Sequence, residues 1–109
     1  MKTVSLLAAA AAMFAFSMTA SAAVDADAAT KAMKDNGCTK CHSVDKTKKG
    51  PAFKKIAADM KGKADAEAKL TTFLTTGPKV KMDDGTEEEH KSLKDPATAR
   101  TLVQFILAQ

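Results

Sequence analysis

Cys38-Thr39-Lys40-Cys41-His42 is the stretch on which the reading of this 109-residue chain turns. Two thiols at this spacing followed at once by an imidazole admit four chemistries. A redox pair of the thioredoxin kind needs a β-α-β setting, and the flanking sequence has no strand pattern. A local disulfide would close so small a loop that it would add little stability. A zinc site needs four donors; Cys41 and His42 are adjacent, and the distance to the only other histidine, His90, fits no finger pattern. The remaining chemistry is C-x-x-C-H, the attachment signature of a c-type haem. Both sulfurs bond to the vinyl-derived carbons of one porphyrin, and the next imidazole meets the iron from the proximal side.

The rest of the composition agrees with a prosthetic group at the centre. Of the residues, 45% are hydrophobic, but that share is inflated by residues 1–22. Beyond them the larger apolar side chains are few, with three Phe and no Trp or Tyr. A domain this small buries a modest fraction of its surface. It usually needs a disulfide, a metal, a partner or a bound group to hold together. Length excludes a second domain or a membrane channel.

Residues 1–22 read as a secretory signal peptide. Lys2 gives a positive start, Val4 to Phe16 form an apolar run, and Ala20-Ser21-Ala22 has the small-x-small pattern of a cleavage site. The run is shorter than the roughly 20 residues a membrane span requires. The mature domain is then residues 23–109, exported to a bacterial periplasm and without a membrane span after cleavage. Loss of Lys2 lowers the formal charge of +4 by one. A mildly basic exported chain lacking an aromatic-interleaved basic patch is not expected to bind nucleic acid.

Four segments carry helical signals and none reads as a strand, so the fold class is all-α. Asp25 caps a helix that runs to Asn36 and closes at Gly37. Gly50-Pro51 opens a second, with Pro51 at the first helical position and Phe53, Ile56, Ala57 and Met60 on one face, ending at Gly62. A third spans about Asp65 to Gly77 with Leu70, Phe73 and Leu74 as its stripe, and the last starts at Asp95-Pro96 and carries Ala99, Leu102, Val103 and Ile106. Residues 78–95 are polar and aperiodic, a connection long enough in so small a domain to point to function.

From Gly37 to the C-terminus these features resemble a small bacterial class I cytochrome c. The match rests on Cys38 to His42 after an N-terminal helix, on Gly50-Pro51-Ala52-Phe53, and on the final helix Ala99-Arg-Thr-Leu-Val-Gln-Phe-Ile-Leu-Ala-Gln. The resemblance implies the class I cytochrome c fold: about four short helices around one covalently bound haem c, the first packed on the last. It gives Cys38 and Cys41 the thioether roles and His42 the proximal iron position. It also implies that the Pro51 carbonyl receives the proximal imidazole N–H, which orients the ring and raises its basicity.

The sixth iron ligand is left between His90 and Met82, both in the 78–95 connection. Met33 and Met60 fall on helical stripes and read as core. The family's usual ligand is a Met from this loop, which favours Met82; its neighbours Lys79-Val-Lys-Met-Asp-Asp-Gly85 are charged and turn-like. Counting back from the last helix lands on Glu89 or His90, whereas counting forward from the third helix favours the earlier position. His90 is therefore the expected ligand and Met82 the alternative. Glu87, Glu88 and Glu89 are expected to favour the protonated imidazole and so to work slightly against ligation.

The expected function is one-electron transport between redox proteins by a monomeric, periplasmic, non-enzymatic carrier. A fully ligated haem has no vacant position for substrate chemistry. Lys40, Lys46, Lys48, Lys49, Lys54, Lys55, Lys79, Lys81 and Lys91 are placed to border the haem crevice as a positive rim for an acidic partner, with Asp83, Asp84 and the three Glu making the face mixed. The alternatives are a haem protein with a displaceable sixth ligand that binds a small molecule or catalyses, and the haem subunit of a larger oxidoreductase.

Overall fold

The computed structural model describes residues 24–109; the expected leader and its cleavage site lie outside the described residues. Four helices form: α1 Ala26–Asp35, α2 Phe53–Met60, α3 Ala66–Thr76 and α4 Pro96–Leu107. Between α3 and α4 run two short strands, β1 Lys79–Lys81 and β2 Glu87–Glu89.

The caps explain the helix boundaries. At the start of α1 the Asp25 carboxylate accepts from the Ala28 N–H at 3.0 Å, and at the start of α4 Asp95 accepts from the Ala97 N–H at 3.1 Å and from the Thr98 hydroxyl at 2.7 Å. Each satisfies a donor that a helix leaves unpaired in its first turn. Asp65 opens α3 without such a bond and pairs with Lys69 one turn on, at 3.2 Å.

Helix α2 has no side-chain cap. Its first N–H groups are taken by the chain that follows the C-x-x-C-H motif: Phe53 N–H donates to the Ser43 carbonyl at 2.9 Å and Lys54 N–H to that of Val44 at 3.1 Å. Pro51 accordingly lies outside the helix, two residues before Phe53, and not at the first helical position that its sequence suggests. The start of α2 is thereby fastened to the motif loop.

The core lies where α1, α2 and α4 meet. Ala29 and Met33 of α1, Phe53 of α2, Leu93, and Ala99, Leu102 and Ile106 of α4 form one buried cluster. The expected packing of the first helix on the last is present. Leu70, Phe73 and Leu74 on α3 stay half-buried. So thin a set of large buried side chains makes only a small hydrophobic contribution.

The connection expected to be aperiodic contains an antiparallel hairpin. Lys79 pairs with Glu89, Val80 with Glu88 and Lys81 with Glu87. The bonds Met82 N–H to Thr86 carbonyl, 2.7 Å, and His90 N–H to Pro78 carbonyl, 2.9 Å, extend the ladder at both ends. Directly opposed Lys and Glu stabilise such a ladder by a few tenths to about 1 kcal/mol per pair. Asp84 closes the turn, accepting from the Thr86 N–H at 2.9 Å and its hydroxyl at 2.6 Å. All-α remains the class of the core, with this ribbon added.

The Asp95 cap has a pH signature. The Thr98 hydroxyl, followed by the Ala97 N–H, lowers the Asp95 pKa below its ordinary value. A carboxylate depressed in the folded state contributes stability that is present above its unfolded pKa and lost as pH falls through the folded one. Asp95→Asn keeps a capping oxygen and removes the titration. The variant is expected to lose less stability than the parent between pH 5 and pH 2, as measured by denaturant midpoints across that range.

Candidate functional site

Gly37 breaks α1, and Cys38–Lys40 form a single 3₁₀ turn. The Cys38 carbonyl accepts from both Cys41 N–H, 3.2 Å, and His42 N–H, 3.0 Å. Both thiols are free and half-buried. Burial pushes the Cys38 thiol up from its usual pKa, offset in part by its own backbone hydrogen bond and by the nearby charge of Lys91.

His42 is fixed from three sides. Residues 43–49 loop out and return so that the Gly50 N–H donates to the Cys41 carbonyl at 2.8 Å. This return lays the Gly50 α-carbon on the imidazole: a Cβ there would stand 2.5 Å from Cε1, 2.9 Å from Nδ1 and 3.0 Å from Nε2. The next residue, Pro51, offers its carbonyl to His42 Nδ1 at 2.7 Å. A carbonyl can only accept, so Nδ1 carries the proton, and in the neutral ring Nε2 is the nitrogen left with a lone pair. The ring also stacks on Phe53, centroids 5.3 Å apart and planes 22° apart. An apolar recess of about 320 Å³ opens beside it, bordered by Met33, Val44, Phe53 and Phe105.

His90 comes to the same place from the other side of the chain. Its ring centroid lies 6.1 Å from that of His42, with the planes at 48°. Its Nδ1 meets the Lys91 carbonyl at 3.0 Å, so in the neutral ring Nε2 is again the nitrogen with the lone pair. Phe73 of α3 packs edge to face against it at 4.9 Å. The His90 pKa is lowered, first by burial and then by His42, and the Lys91 carbonyl opposes this. The three glutamates expected to favour the protonated form are exposed, and loss of hydration outweighs them.

Met82 is on the same face of the ribbon as His90, since residues two apart on a strand share a face, and both are half-buried. They are not close along it. His90 pairs with Pro78 and Met82 with Thr86, so four strand steps of about 3.4 Å each separate their rungs. The sequence marks Phe73 by its place on the α3 stripe and Gly50 by its place before Pro51, but their contacts with His90 and His42 depend on tertiary approach, for which a sequence carries no signal.

Residues 26–109 match the family Cytochrome c. The chain belongs to that family. The relatives include cytochrome c-551 of Pseudomonas denitrificans, 35% identical over 68% of this chain and 88% of the relative, and cytochrome c-551 of Pseudomonas aeruginosa, 43% identical over 40% of this chain and 42% of the relative. Among solved structures, the class 1 cytochrome MtoD from Sideroxydans lithotrophicus ES-1 is 50% identical with a TM-score of 0.76, covering 79% of this chain and 97% of its own. Cytochrome c552 of Nitrosomonas europaea follows at 29% identity and a TM-score of 0.61, covering 72% and 95%. The cytochrome is of class I, with covalently bound haem c and its iron as prosthetic group and electron transfer as its activity. Among the described residues no helix is long and apolar enough to cross a membrane.

Gly50→Ala tests the packing around the proximal ring. Overfilling a tight contact costs about 1–3 kcal/mol, and in a domain of this size 1 kcal/mol shifts Tm by about 4–8 °C. Calorimetry of the haem-loaded variant is expected to show a drop of that order.

Proposed function

We propose that this monohaem cytochrome carries single electrons between protein partners in the bacterial periplasm, with Cys38 and Cys41 as thioether anchors, His42 as proximal ligand and His90 as the sixth. The export signal read in residues 1–22 supports the location.

The observation that carries the ligand assignment is the 6.1 Å between the two imidazole centroids. Two metal–nitrogen bonds of about 2 Å, with roughly 1 Å from each nitrogen to its ring centre, span about 6 Å. Both rings have Nδ1 engaged by a backbone carbonyl, so both offer Nε2 to a metal. Met82 would have to move a large part of the ribbon toward the iron to compete. The half-buried thiols beside His42 likewise fit the porphyrin.

When bound, the haem supplies one-electron chemistry at a potential tuned by its axial ligands and surroundings. The protein's part is to hold those ligands. Hydrogen bonding by Pro51 orients His42 and makes it a stronger donor. Burial of His90 disfavours its imidazolium, so the neutral form that a metal requires persists further into acid than for an exposed imidazole.

The docking face is a mixed rim facing an acidic partner. All nine lysines expected at the crevice are exposed, but Lys54 and Lys55 pair with Asp45 and Asp59, and Lys79 and Lys81 oppose glutamates on the ribbon. Among the described residues, Lys40, Lys46, Lys48, Lys49 and Lys91 have no ion-pair partner. These five carry the long-range attraction, which salt screens over about 10 Å at 0.1 M.

Two measurements test the reading. In ferric His90→Ala the low-spin visible and near-infrared spectrum is expected to turn high-spin at neutral pH, while Met82→Ala keeps the parent spectrum. A low-spin spectrum unchanged in His90→Ala would overturn the assignment. Association with an acidic redox protein is expected to slow several-fold as ionic strength rises from about 0.01 to 0.2 M, measured by stopped-flow; a rate insensitive to salt would remove the steering role.

A further inference from the structure

We propose that the last turn of α3 is the seat of the distal imidazole, and that Phe73 is a positioning residue that sets the tilt of the His90 ring against His42. The inference rests on His90 as sixth ligand.

The main chain around His90 is tied to that turn and to the residues just beyond it. Leu93 N–H donates to the Leu74 carbonyl at 2.8 Å, and His90 N–H donates to that of Pro78 at 2.9 Å. Gly77 lies between these bonds in the left-handed region, φ +58°, and a Cβ there would overlap the His90 carbonyl oxygen and stand 2.9 Å from the Ser92 Cβ. Only glycine lets the two segments touch at this point. Backbone position is thus settled, and rotation of the side chain is what remains.

The two rings differ in how that rotation is held. His42 has a carbonyl on Nδ1, a glycine packed closely against the ring and a stacked phenyl. His90 has the Lys91 carbonyl, contributed by the very next residue and therefore a weak restraint on tilt, and the edge-to-face contact with Phe73 at 66°. Phe73 itself sits on a rigid helix next to Leu74, which packs on the core cluster. The 48° between the imidazole planes is therefore set on the distal side by Phe73.

That angle has an electronic readout. Parallel axial imidazoles donate π density into one iron d orbital, and crossed ones divide it between two, so the splitting in low-spin ferric iron follows the angle. Electron paramagnetic resonance of the frozen ferric protein reads it as the largest g value.

The test compares the parent holoprotein with Phe73→Leu, which keeps apolar bulk at a half-buried site, and Phe73→Tyr, which keeps the ring. The expected result is a low-spin bis-imidazole signal in the parent, a shifted and broadened largest g in Phe73→Leu with the optical spectrum still low-spin, and the parent value restored in Phe73→Tyr. Phe73→Met serves as a second ring-deletion variant if Phe73→Leu lowers Tm. Superimposable signals from the parent and a folded ring-deletion variant would overturn the positioning role. A parent lacking the bis-imidazole signal would instead overturn the ligand reading beneath it, and the two failures are told apart on different samples.

Discussion

The bond from His42 Nδ1 to the Pro51 carbonyl, 2.7 Å, is the constraint around which the rest of this small protein is arranged. It joins the residue that ends the haem-attachment motif to one just ahead of α2, and it holds only if the eight residues between them double back. The Gly50 N–H on the Cys41 carbonyl makes the return, and the Ser43 and Val44 carbonyls finish it by taking the first free N–H groups of α2. A helix with no side-chain cap of its own thus depends on the motif loop for its start. The imidazole in turn depends on that start for its orientation.

The thinness of the core follows from the same arrangement. Helices α1 and α4 bury small residues against each other, Ala29 and Ala99 among them, which allows close approach but buries little area. Phe53 is shared: it belongs to the buried cluster and also stacks on His42. A side chain that serves core and site together couples the stability of one to the geometry of the other. The covalent porphyrin supplies the large apolar surface that the side chains lack, and a chain so built relies on its prosthetic group for much of its folding free energy.

Much of this was legible in the sequence because it is carried by local rules. Asp25, Asp95, Gly37 and Gly77 mark helix ends by backbone chemistry, and the stripe Ala99, Leu102, Val103, Ile106 marks the face of α4 by periodicity. Pro51 showed the limit of local rules: proline suits a helix start, but here tertiary hydrogen bonds from Ser43 and Val44 begin the helix at Phe53. The ribbon escaped notice for a different reason. Its strands are three residues long and hold mostly Lys and Glu, which are poor strand formers. What stabilises them is cross-strand pairing of opposite charges around an Asp-Asp-Gly turn, and that pattern becomes visible only when register is considered.

The ribbon also explains why two ways of counting toward the sixth ligand disagreed. An antiparallel hairpin returns to its starting point, so Pro78 and His90 are rung partners although eleven residues lie between them. Counting forward from α3 runs out along the ribbon and stops near its tip, short of His90. Counting back from α4 crosses only the short stretch 91–95, which is tied to α3 through Leu93 and Leu74 and cannot change length freely. Residues inserted as a hairpin lengthen the chain without moving its ends, so the distance that matters for a ligand is measured from the base of the ribbon. His90 stands at that base, whereas Met82 stands near its tip.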